Sequence, residues 1–512
     1  MTEDALPHLV SHAGRWPERA AVVMTDDGST LSYRELDARS HALAGQLAAA
    51  GIEAGQHVAI LMENRLEFMI AVWAASRSGL YYTPVNWHLT ADEVAYIVSD
   101  CGARAVLSSD ARRDVLKPVV AACPDMSLWV CDREEPSGFA PEQGLPHKPI
   151  AYDALEGSSM IYSSGTSGRP KGIKRAVTGA PFGALGAGDA MLRRLYAWDE
   201  DAVFLCPSPL YHAGPLNFAM VTHRSGGTLV LMRDFEAPEA LEAIGRHRVN
   251  KAWLVPTMMI RMLKLPDRER FDTSSLTHAI HTAAPCPQDT KRAMIEWWGP
   301  ILYEFYAATE GNGLTAITPQ EWLAHPGSVG RSPDVRIVGE DGQLMPTGEV
   351  GVIYFASAWT QFEYHNDPAK TAEARDSQGW TTIGDIGYLD ADGYLYLTDR
   401  KTHMIIAGGV NIYPQEAENV LAVHPAVEDV AVIGVPHPEY GEEVKAVVQL
   451  GAGETASDTL AAELIAHCQS QLARYKCPRS VDFVEQLPRM PNGKLLKRDL
   501  RARYWTNAKV RI

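Results

Sequence analysis

The chain has 512 residues, too many for one hydrophobic core, and this length indicates about three structural units. Its 63 acidic and 47 basic residues give a formal net charge of -16, which argues against general nucleic-acid binding. The acidic start lacks the basic-then-apolar order of a signal peptide, and the apolar runs are too short for a membrane span. Seven cysteines without a Cys-x-x-Cys pair indicate reduced thiols, so we expect a cytoplasmic protein without zinc.

The N-terminal part alternates helix-like and strand-like patterns. Residues 32–51 carry apolar positions at helical spacing and end on Gly51, whereas in residues 57–62 a histidine precedes five apolar residues, as is typical of a buried strand. Residues 67–79 return to helical spacing, and the same alternation recurs at 228–254. This pattern predicts an α/β fold in which helices cover mainly parallel sheets.

The pattern changes after about Thr315. Short alternating strands joined by Asp-Gly turns occupy residues 335–355 and 386–400, which predicts an antiparallel sheet or a small β-barrel-like subdomain at about 315–399. Beyond Arg400, two apolar strands and an amphipathic helix predict a compact α+β unit of domain size. We therefore expect a large domain over residues 1–399, followed by a small one.

Residues 163–175, SSGTSGRPKGIKR, combine small hydroxyl side chains and glycines with a cluster of cations. The backbone N–H groups of such loops can converge on a phosphate, although a flexible surface loop has the same composition. An apolar, strand-like segment precedes the loop, and Lys171 follows it where an ammonium group can neutralise a phosphate. The stretch is not a Walker A loop, because it lacks Gly-x4-Gly-Lys-Ser/Thr.

YSSGTSGRPKG resembles the phosphate loop of the adenylate-forming superfamily, which includes acyl-CoA synthetases, nonribosomal-peptide adenylation domains and beetle luciferases. Segments similar to the superfamily's other motifs follow in order over essentially the whole chain. They are PLYHAGPL (209–216), HTAAP (281–285), EFYAATEG (304–311), WTTIGDIGYLDADGYLYLTDR (380–400), GGVNIYPQEAE (408–418) and LPRMPNGKLLKRDL (487–500).

The resemblance implies that ATP converts a carboxylic acid into an acyl-adenylate with release of pyrophosphate. The attack concentrates negative charge on the α-phosphate, so cations and N–H donors are needed there. Thr309 would contact the α-phosphate, and Glu310 with Thr166 would hold Mg²⁺; a lone glutamate at this position would otherwise be a solvated carboxylate. The residues implied around the β- and γ-phosphates are Ser163, Ser164, Gly165, Thr166, Ser167, Gly168 and Lys171.

The resemblance also implies the nucleoside contacts. Tyr306 would stack on adenine, Asp385 would accept hydrogen bonds from both ribose hydroxyls, and Arg400 would add a second ribose contact. Apart from the resemblance, a buried tyrosine is ordinary core and Asp-Gly pairs are ordinary turn chemistry. The other adenine-side wall would consist of Ala283, Ala284 and Pro285.

The C-terminal motifs imply a mobile domain at 403–512 that rotates about a hinge at 400–402 between two half-reactions. Lys494 would join the α-phosphate in the first, where a compact mobile point charge suits the task. The glycines of GGVNIYPQEAE would line the tunnel for the CoA thiol in the second. Thr402 stands where the family usually has Asp or Lys, which weakens its assignment as hinge residue. The glycines implied for CoA are Gly408 and Gly409, and the stretch RYKCPR could supply Arg474 and Lys476 to the phosphates of CoA.

The segment from Tyr211 to Met220 contains no carboxylate for a substrate ammonium group and offers His212 instead, which favours an acid without an amino group. With Leu216, Phe218, Met258 and Met259 nearby, the implied pocket is mostly apolar and predicts a medium- or long-chain acid or a bulky cyclic, steroid-like one, although such methionines are often plain core. Ala307 replaces a usual glycine, which makes chain length hard to infer. The implied pocket residues are His212, Trp253, Thr282, Phe305, Ala307, Asn312 and Gly313.

The favoured interpretation is an AMP-forming acyl-CoA synthetase that uses ATP, Mg²⁺ and CoA. Transfer of the acyl group to a carrier-protein phosphopantetheine, an aryl-CoA ligase and a luciferase-like oxygenase are the alternatives with the same first step. A P-loop kinase would release ADP instead of AMP, and a non-catalytic binding protein would not need Lys494. We expect small-molecule partners and no nucleic acid, and we leave a homodimer open.

Overall fold

The computed structural model describes residues 8–131, 139–141, 155–163, 170–175, 179–184, 186–339, 341–356, 362–400, 403–407, 410–489 and 495–505. The chain divides into two compact units. The first contains Met1–Trp253, Asp267–Ala279 and Thr360–Glu373, and the second contains Leu254–Pro266, Ile280–Trp359 and Ala374–Ile512.

The helices of the described residues are α1 (Leu9–Arg15), α2 (Tyr33–Ala49), α3 (Leu66–Arg77), α4 (Ala91–Asp100), α5 (Arg113–Ala122), α6 (Ala187–Leu195), α7 (Ala213–Ser225), α8 (Ala237–His247), α9 (Pro256–Leu263), α10 (Gln288–Trp298), α11 (Pro319–Ala324), α12 (Pro368–Glu373), α13 (Pro414–Ala422), α14 (Asp458–Gln471) and α15 (Lys497–Trp505). Short 3-10 turns are Asp110–Arg112, Arg268–Arg270 and Arg474–Lys476.

The strands are β1 (Ala20–Met24), β2 (Thr30–Ser32), β3 (His57–Leu61), β4 (Tyr81–Pro84), β5 (Ala103–Ser108), β6 (Ser127–Cys131), β7 (Phe139–Pro141), β8 (Ser158–Ser159), β9 (Ile161–Ser163), β10 (Lys171–Lys174), β11 (Val203–Cys206), β12 (Thr228–Leu231), β13 (Lys251–Leu254), β14 (His278–His281), β15 (Leu302–Ala307), β16 (Leu314–Ile317), β17 (Val335–Val338), β18 (Gly351–Phe355), β19 (Glu363–Tyr364), β20 (Asp385–Leu389), β21 (Leu395–Arg400), β22 (Ile405–Ala407), β23 (Val410–Ile412), β24 (Val427–His437), β25 (Gly441–Leu450) and β26 (Ser480–Val484).

The first unit contains two mainly parallel sheets, as predicted. One has the order β7-β6-β5-β3-β4-β8 and is parallel except for the β6–β7 pair. In the other, β13, β11, β12 and β1 are parallel neighbours and β2 lies antiparallel at the edge. Helix α3 packs on β3 and β4 of the first sheet and on β1 of the second. This position explains why the helix is buried on every side from Phe68 to Arg77.

Local signals in the sequence account for where these elements begin and end. Ser32 and Glu35 form a capping box at the start of α2, and Gly51 follows its end with a φ of 80°, a left-handed conformation that glycine adopts without strain. All five residues of β3 are buried, as an uninterrupted apolar run predicts. The expected helix and strand at 32–51 and 57–62 are therefore confirmed.

His223 of α7 is fully buried and uses both ring nitrogens. Trp73 Nε1 donates to His223 Nδ1 at 3.0 Å, and His223 Nε2 lies 3.0 Å from the carbonyl oxygen of Ala21. The neutral ring with its proton on Nε2 satisfies both contacts, whereas protonation of Nδ1 would break the first. Burial accordingly lowers the pKa of His223 to about 4.

This histidine predicts acid sensitivity. Since the folded pKa lies below the unfolded value near 6.5, the unfolded chain takes up a proton first, and stability falls as the pH drops from 6.5 towards 4. By pH 4.5 the loss from this residue should be about 2–3 kcal/mol. Urea titrations between pH 7.5 and 4.5 measure it. The free energy of unfolding should depend less steeply on pH in the non-titrating His223→Gln variant, by the equivalent of about one bound proton. The same pH dependence in variant and wild type would contradict the assignment.

The second unit contains antiparallel sheets. Strands β15 and β16 form a hairpin, and β17-β18-β20-β21 form a four-stranded antiparallel sheet, in agreement with the predicted change of pattern after Thr315. A further sheet has the order β23-β22-β25-β24, with β26 parallel to β25. Residues between Ile405 and Tyr504 supply two core clusters of this last region. These cores support a separate C-terminal domain, whose boundaries stay a prediction.

All seven cysteines lie among the described residues, and none forms a disulfide. Across the part of the chain that the structure describes, no helix has both the length and the apolar character that crossing a bilayer requires.

Candidate functional site

The predicted phosphate loop connects two strands of one antiparallel hairpin. In the first unit, β9 ends at Ser163 and β10 begins at Lys171, and these two residues lie opposite each other in the ladder. One step further along, Tyr162 pairs with Gly172. A Cβ at Gly172 would lie 2.4 Å from the Met160 Cε and 2.9 Å from the Tyr162 ring, so a larger residue here would have to displace these side chains. The expectation that the stretch leaves a sheet is confirmed.

Lys171 makes an ion pair with a residue that sequence analysis does not identify. Its Nζ donates to Asp367 Oδ2, and the side chains are 23% and 33% exposed. Asp367 follows β19, which pairs with β10, and its Oδ1 also accepts a hydrogen bond from the Lys370 backbone N–H at 2.9 Å. The Asp-Pro pair at the start of α12 is a readable cap signal, but nothing in it indicates Lys171 as a partner.

The end of α4 supports both strands of this hairpin. Tyr162 donates its hydroxyl to Asp100 Oδ2 at 2.5 Å, and Tyr96 donates its hydroxyl to the carbonyl oxygen of Pro170 at 3.2 Å. Asn366 Nδ2 contacts the other oxygen of the Asp100 carboxylate at 3.2 Å. Asp100 therefore joins the residue before Ser163 to the segment that presents Asp367. Sequence analysis missed this role, because an acidic residue at a helix end has the pattern of a solvated one.

The PLYHAGPL motif forms the start of α7. His212 is the N-cap residue, and its ring lies 4.4 Å from that of Tyr211. A Cβ at Gly214 would lie 2.4 Å from Trp253 Cη2, and the Trp253 ring lies 5.1 Å from the ring of Phe218. Trp253 is 3% exposed. The structure thus brings the predicted pocket residues of the first unit together on an apolar surface at the start of this helix.

The predicted nucleoside residues of the second unit also come together. Tyr306 on β15 donates its hydroxyl to Asp385 Oδ2 at 2.6 Å. Asp385 is buried at the start of β20 and lies opposite Arg400 of β21 in the ladder. An aromatic ring and a fixed carboxylate side by side are the groups that a nucleoside needs for stacking and for its ribose hydroxyls.

On strand β15, the residues implied for the acid and the residue implied for the nucleotide lie on opposite faces. Successive side chains point to opposite faces, so Phe305 and Ala307 share one face and Tyr306 lies on the other. Thr309 and Glu310 follow as the two central residues of a turn closed by the hydrogen bond from Gly311 N–H to the Ala308 carbonyl oxygen, at 2.9 Å. Both are partly exposed. A carboxylate there is the hard oxygen ligand that Mg²⁺ prefers.

The remaining implied wall residues of this unit either follow β14 or directly precede β16. Thr282 is buried, whereas Ala283 and Pro285 are exposed and Ala284 is partly exposed. Ala283 has a φ of 74°, an uncommon left-handed conformation for alanine. Asn312 is buried, and its carbonyl oxygen accepts a hydrogen bond from Thr381 Oγ1 at 3.4 Å. A Cβ at Gly313 would lie 2.0 Å from the Phe355 ring.

A buried charged network beneath these residues escaped sequence analysis. Lys291 of α10 donates its Nζ to Glu304 Oε2 at 2.5 Å, and His281 Nε2 lies 3.4 Å from the same oxygen. Burial raises the pKa of Glu304 and lowers that of His281 well below its ordinary value. The network joins α10, β14 and β15, so it fixes the point from which residues 282–285 leave β14.

The C-terminal residues implied for CoA differ in their surroundings. Lys476 Nζ donates to Glu416 Oε2 at 2.6 Å, whereas Arg474 is exposed and has no ion pair with another described residue. The side chain of Arg400 and the following residues lie outside the described part of the chain: Ser164, Gly165, Thr166, Ser167, Gly168, Thr402, Gly408, Gly409 and Lys494.

Comparison with known proteins agrees with this arrangement. The model of the AMP-binding enzyme family matches residues 9–365, and that of the AMP-binding enzyme C-terminal domain matches residues 416–494. The chain is 30% identical to the fatty acid–[acyl-carrier-protein] ligase ScoC of Streptomyces coeruleorubidus, over 98% of this chain and 96% of the relative. It is 32% identical to the long-chain-fatty-acid–CoA ligase FadD13 of Mycobacterium tuberculosis, over 95% of this chain and 96% of the relative.

A solved structure extends the likeness to the whole fold. The o-succinylbenzoate CoA synthetase MenE of Bacillus subtilis, in complex with its acyl-adenylate intermediate, has a TM-score of 0.81 and 28% identity, and the match covers all of both chains. The order of the motifs and the fold agree with the two family models, which together match residues 9–365 and 416–494. The chain therefore belongs to the AMP-binding enzymes, the adenylate-forming superfamily.

Proposed function

We propose that the protein is an ATP-dependent, AMP-forming acyl-CoA synthetase that activates an apolar carboxylic acid of medium or long chain, or a bulky cyclic one. The acid carboxylate attacks the α-phosphate of ATP, pyrophosphate leaves, and the CoA thiol then displaces AMP from the acyl-adenylate. ScoC and FadD13, whose names specify fatty acids, support an apolar acid.

The observation that carries this proposal at the nucleotide end is the hydrogen bond from Tyr306 to Asp385. It holds a buried carboxylate at a fixed place beside the ring, where the carboxylate can accept both ribose hydroxyls. Thr309 and Glu310 follow on the same hairpin, so adenine, ribose and α-phosphate contacts would come from adjoining residues. Mg²⁺, when bound at Glu310, would neutralise charge on phosphate oxygens.

At the acyl end, the support is the packing of Trp253 on Gly214 and Phe218. A buried indole packed on an apolar helix start suits an acid with an apolar body. The absence of acidic residues between Tyr211 and Met220, all of them described, argues against a substrate ammonium group.

The surroundings of Lys476 raise the question whether an acceptor other than CoA takes the acyl group. Lys476 Nζ pairs with Glu416, so a CoA phosphate would have to displace that carboxylate to bind the lysine. The name of ScoC specifies a carrier protein as acceptor. Delivery to a carrier-protein phosphopantetheine is therefore the second candidate, with an unchanged first half-reaction.

A pyrophosphate-release screen tests the proposal. Purified protein is incubated with ATP, Mg²⁺ and acetate, octanoate, palmitate, ferulate or cholate. We expect release with octanoate, palmitate or cholate, AMP as the nucleotide product, and loss of free thiol when CoA is added. Release of ADP would contradict adenylate formation. Pyrophosphate without a thioester on free CoA, followed by loading of a phosphopantetheinylated carrier protein, would replace CoA by the second candidate.

A further inference from the structure

We propose that Asp367 is the resident counter-ion of Lys171, which ATP must displace, and that this exchange sets the affinity for the terminal phosphates and eases the release of pyrophosphate. The inference rests on the proposed function, because it takes Lys171 as a ligand of the β- and γ-phosphates. It assigns to Asp367 a tuning role rather than a contact with the reacting atoms.

The ion pair is placed where exchange can occur. Lys171 Nζ contacts Asp367 Oδ2, and the two side chains keep 23% and 33% of their surface exposed. The pair is thus neither a buried structural bridge nor a fully solvated one. A phosphate oxygen can reach the ammonium group from the exposed side, and the lysine stem is flexible enough to turn towards it.

Asp367 itself is held in place and cannot follow the lysine. The His365 N–H donates to the Gly172 carbonyl oxygen at 2.8 Å, and the Asp367 N–H donates to the Tyr364 carbonyl oxygen at 3.1 Å. The second carboxylate oxygen is engaged by the Lys370 backbone N–H. Since these bonds fix the carboxylate, the mobile partner is Lys171.

The residues next to Asp367 are also held in place, so Lys171 remains the more mobile partner of the ion pair. Asn366 and His365 both bond to Asp100, through Asn366 Nδ2 at 3.2 Å to the carboxylate and His365 Nε2 at 2.9 Å to the carbonyl oxygen. The same Asp100 carboxylate receives the Tyr162 hydroxyl, next to Ser163. One helix end therefore fixes Asp367 relative to the base of the phosphate hairpin.

The charge of Asp367 should weaken the binding of the terminal phosphates. The hydrogen bond from Lys171 lowers the pKa of Asp367, so the carboxylate is charged at neutral pH. When Lys171 turns to a phosphate, the carboxylate loses its partner and also repels the phosphate charge. Both effects weaken binding of ATP and of pyrophosphate. AMP lacks the terminal phosphates that Lys171 would contact, so its binding should be unaffected.

The test is the Asp367→Asn variant, which removes the charge and keeps an oxygen for the Lys370 N–H. Equilibrium dissociation constants are measured for ATP, pyrophosphate and AMP with Mg²⁺ at low salt. We expect the affinity for ATP and for pyrophosphate to rise by about two- to fivefold, as the worth of a partly exposed ion pair implies, with AMP unchanged. Asp367→Ser, also neutral and able to cap α12, should give the same result if the first variant folds poorly.

Two controls separate the inference from simpler explanations. Asp114→Asn removes the same charge from the Lys117–Asp114 pair of the same unit, 2.8 Å long, and should change nothing. Adding Lys171→Met to Asp367→Asn should remove the gain. Three outcomes would overturn the inference and leave the proposed function standing. They are equal affinities for ATP in wild type and Asp367→Asn, a gain in affinity that includes AMP, and a gain that survives Lys171→Met. A wild type that binds no ATP would overturn the proposed function, and the inference with it.

Discussion

Lys494→Ala is expected to lower the rate of acyl-adenylate formation by about 10²–10³-fold. The rate of thioester formation from a synthetic acyl-adenylate should stay near that of the wild type. The resemblance to the adenylate-forming motifs assigns Lys494 to the developing charge on the α-phosphate, and loss of one such donor typically costs this much. Since this charge develops only in the first half-reaction, the second should not need the lysine. The measurements are acid-dependent pyrophosphate release and single-turnover thioester formation.

A matched variant tests whether the position of the charge matters. Arg498→Ala removes an exposed cation four residues later, whose side chain is 56% exposed and paired with Asp499. It should leave both half-reactions within about twofold of wild type, because exposed pairs contribute little. An equal loss of the two half-reactions in Lys494→Ala would contradict the division of labour between them.

Lys291→Met is expected to destabilise the second unit by about 3–5 kcal/mol, because it leaves the buried Glu304 carboxylate without its cation. Lys291 is fully buried and Glu304 is 6% exposed, so water cannot replace the lost partner. The Trp322 ring, 4.9 Å from the lysine Nζ, loses a cation as well. Urea unfolding at pH 7.5 measures the loss, and a change below about 1 kcal/mol would show that the pair is not charged and buried as described.

The double variant Lys291→Met/Glu304→Leu should recover most of that stability, since an apolar pair needs no counter-charge. The single variant should also approach wild type as the pH falls from 7.5 to 5.5. Without the lysine, the pKa of Glu304 rises further above its ordinary range, and protonation in the folded state then removes the unpaired charge. The difference between variant and wild type is the quantity to compare, because His223 lowers the stability of both in acid.

Much of the fold could be predicted because its elements carry local signals. The apolar run of β3 and the capping box of α2 both identify their own element without reference to distant residues. Alternating patterns and Asp-Gly turns likewise identify β20 and β21. The α/β class, the antiparallel region and the relation to the adenylate-forming superfamily are confirmed.

In the candidate site, only residues that belong to recognisable sequence motifs could be predicted. Tyr306, Asp385 and Arg400 were found through a resemblance. In the structure Tyr306 donates a hydrogen bond to Asp385, and Arg400 lies opposite Asp385 on the paired strand. Asp367 lies 196 residues from Lys171, and pairing over that distance leaves no periodic signal. Lys291 could not be recognised either, because a buried lysine and a solvated one interrupt an apolar helix pattern in the same way.

The opposition of Ser163 and Lys171 across the hairpin has a consequence for changing the length of the chain here. A change of length before Lys171 need not alter the ladder itself, in which Tyr162 pairs with Gly172 and Ile161 with Ile173. A deletion inside β10 would instead shift the strand by one position and turn every later side chain to the opposite face. Deletion of Lys171 itself would place Gly172, which has no side chain for Asp367, opposite Ser163, and Ile173 would replace Gly172 against Tyr162. A change of chain length within β10 should therefore disturb both the strand register and the close packing at Gly172.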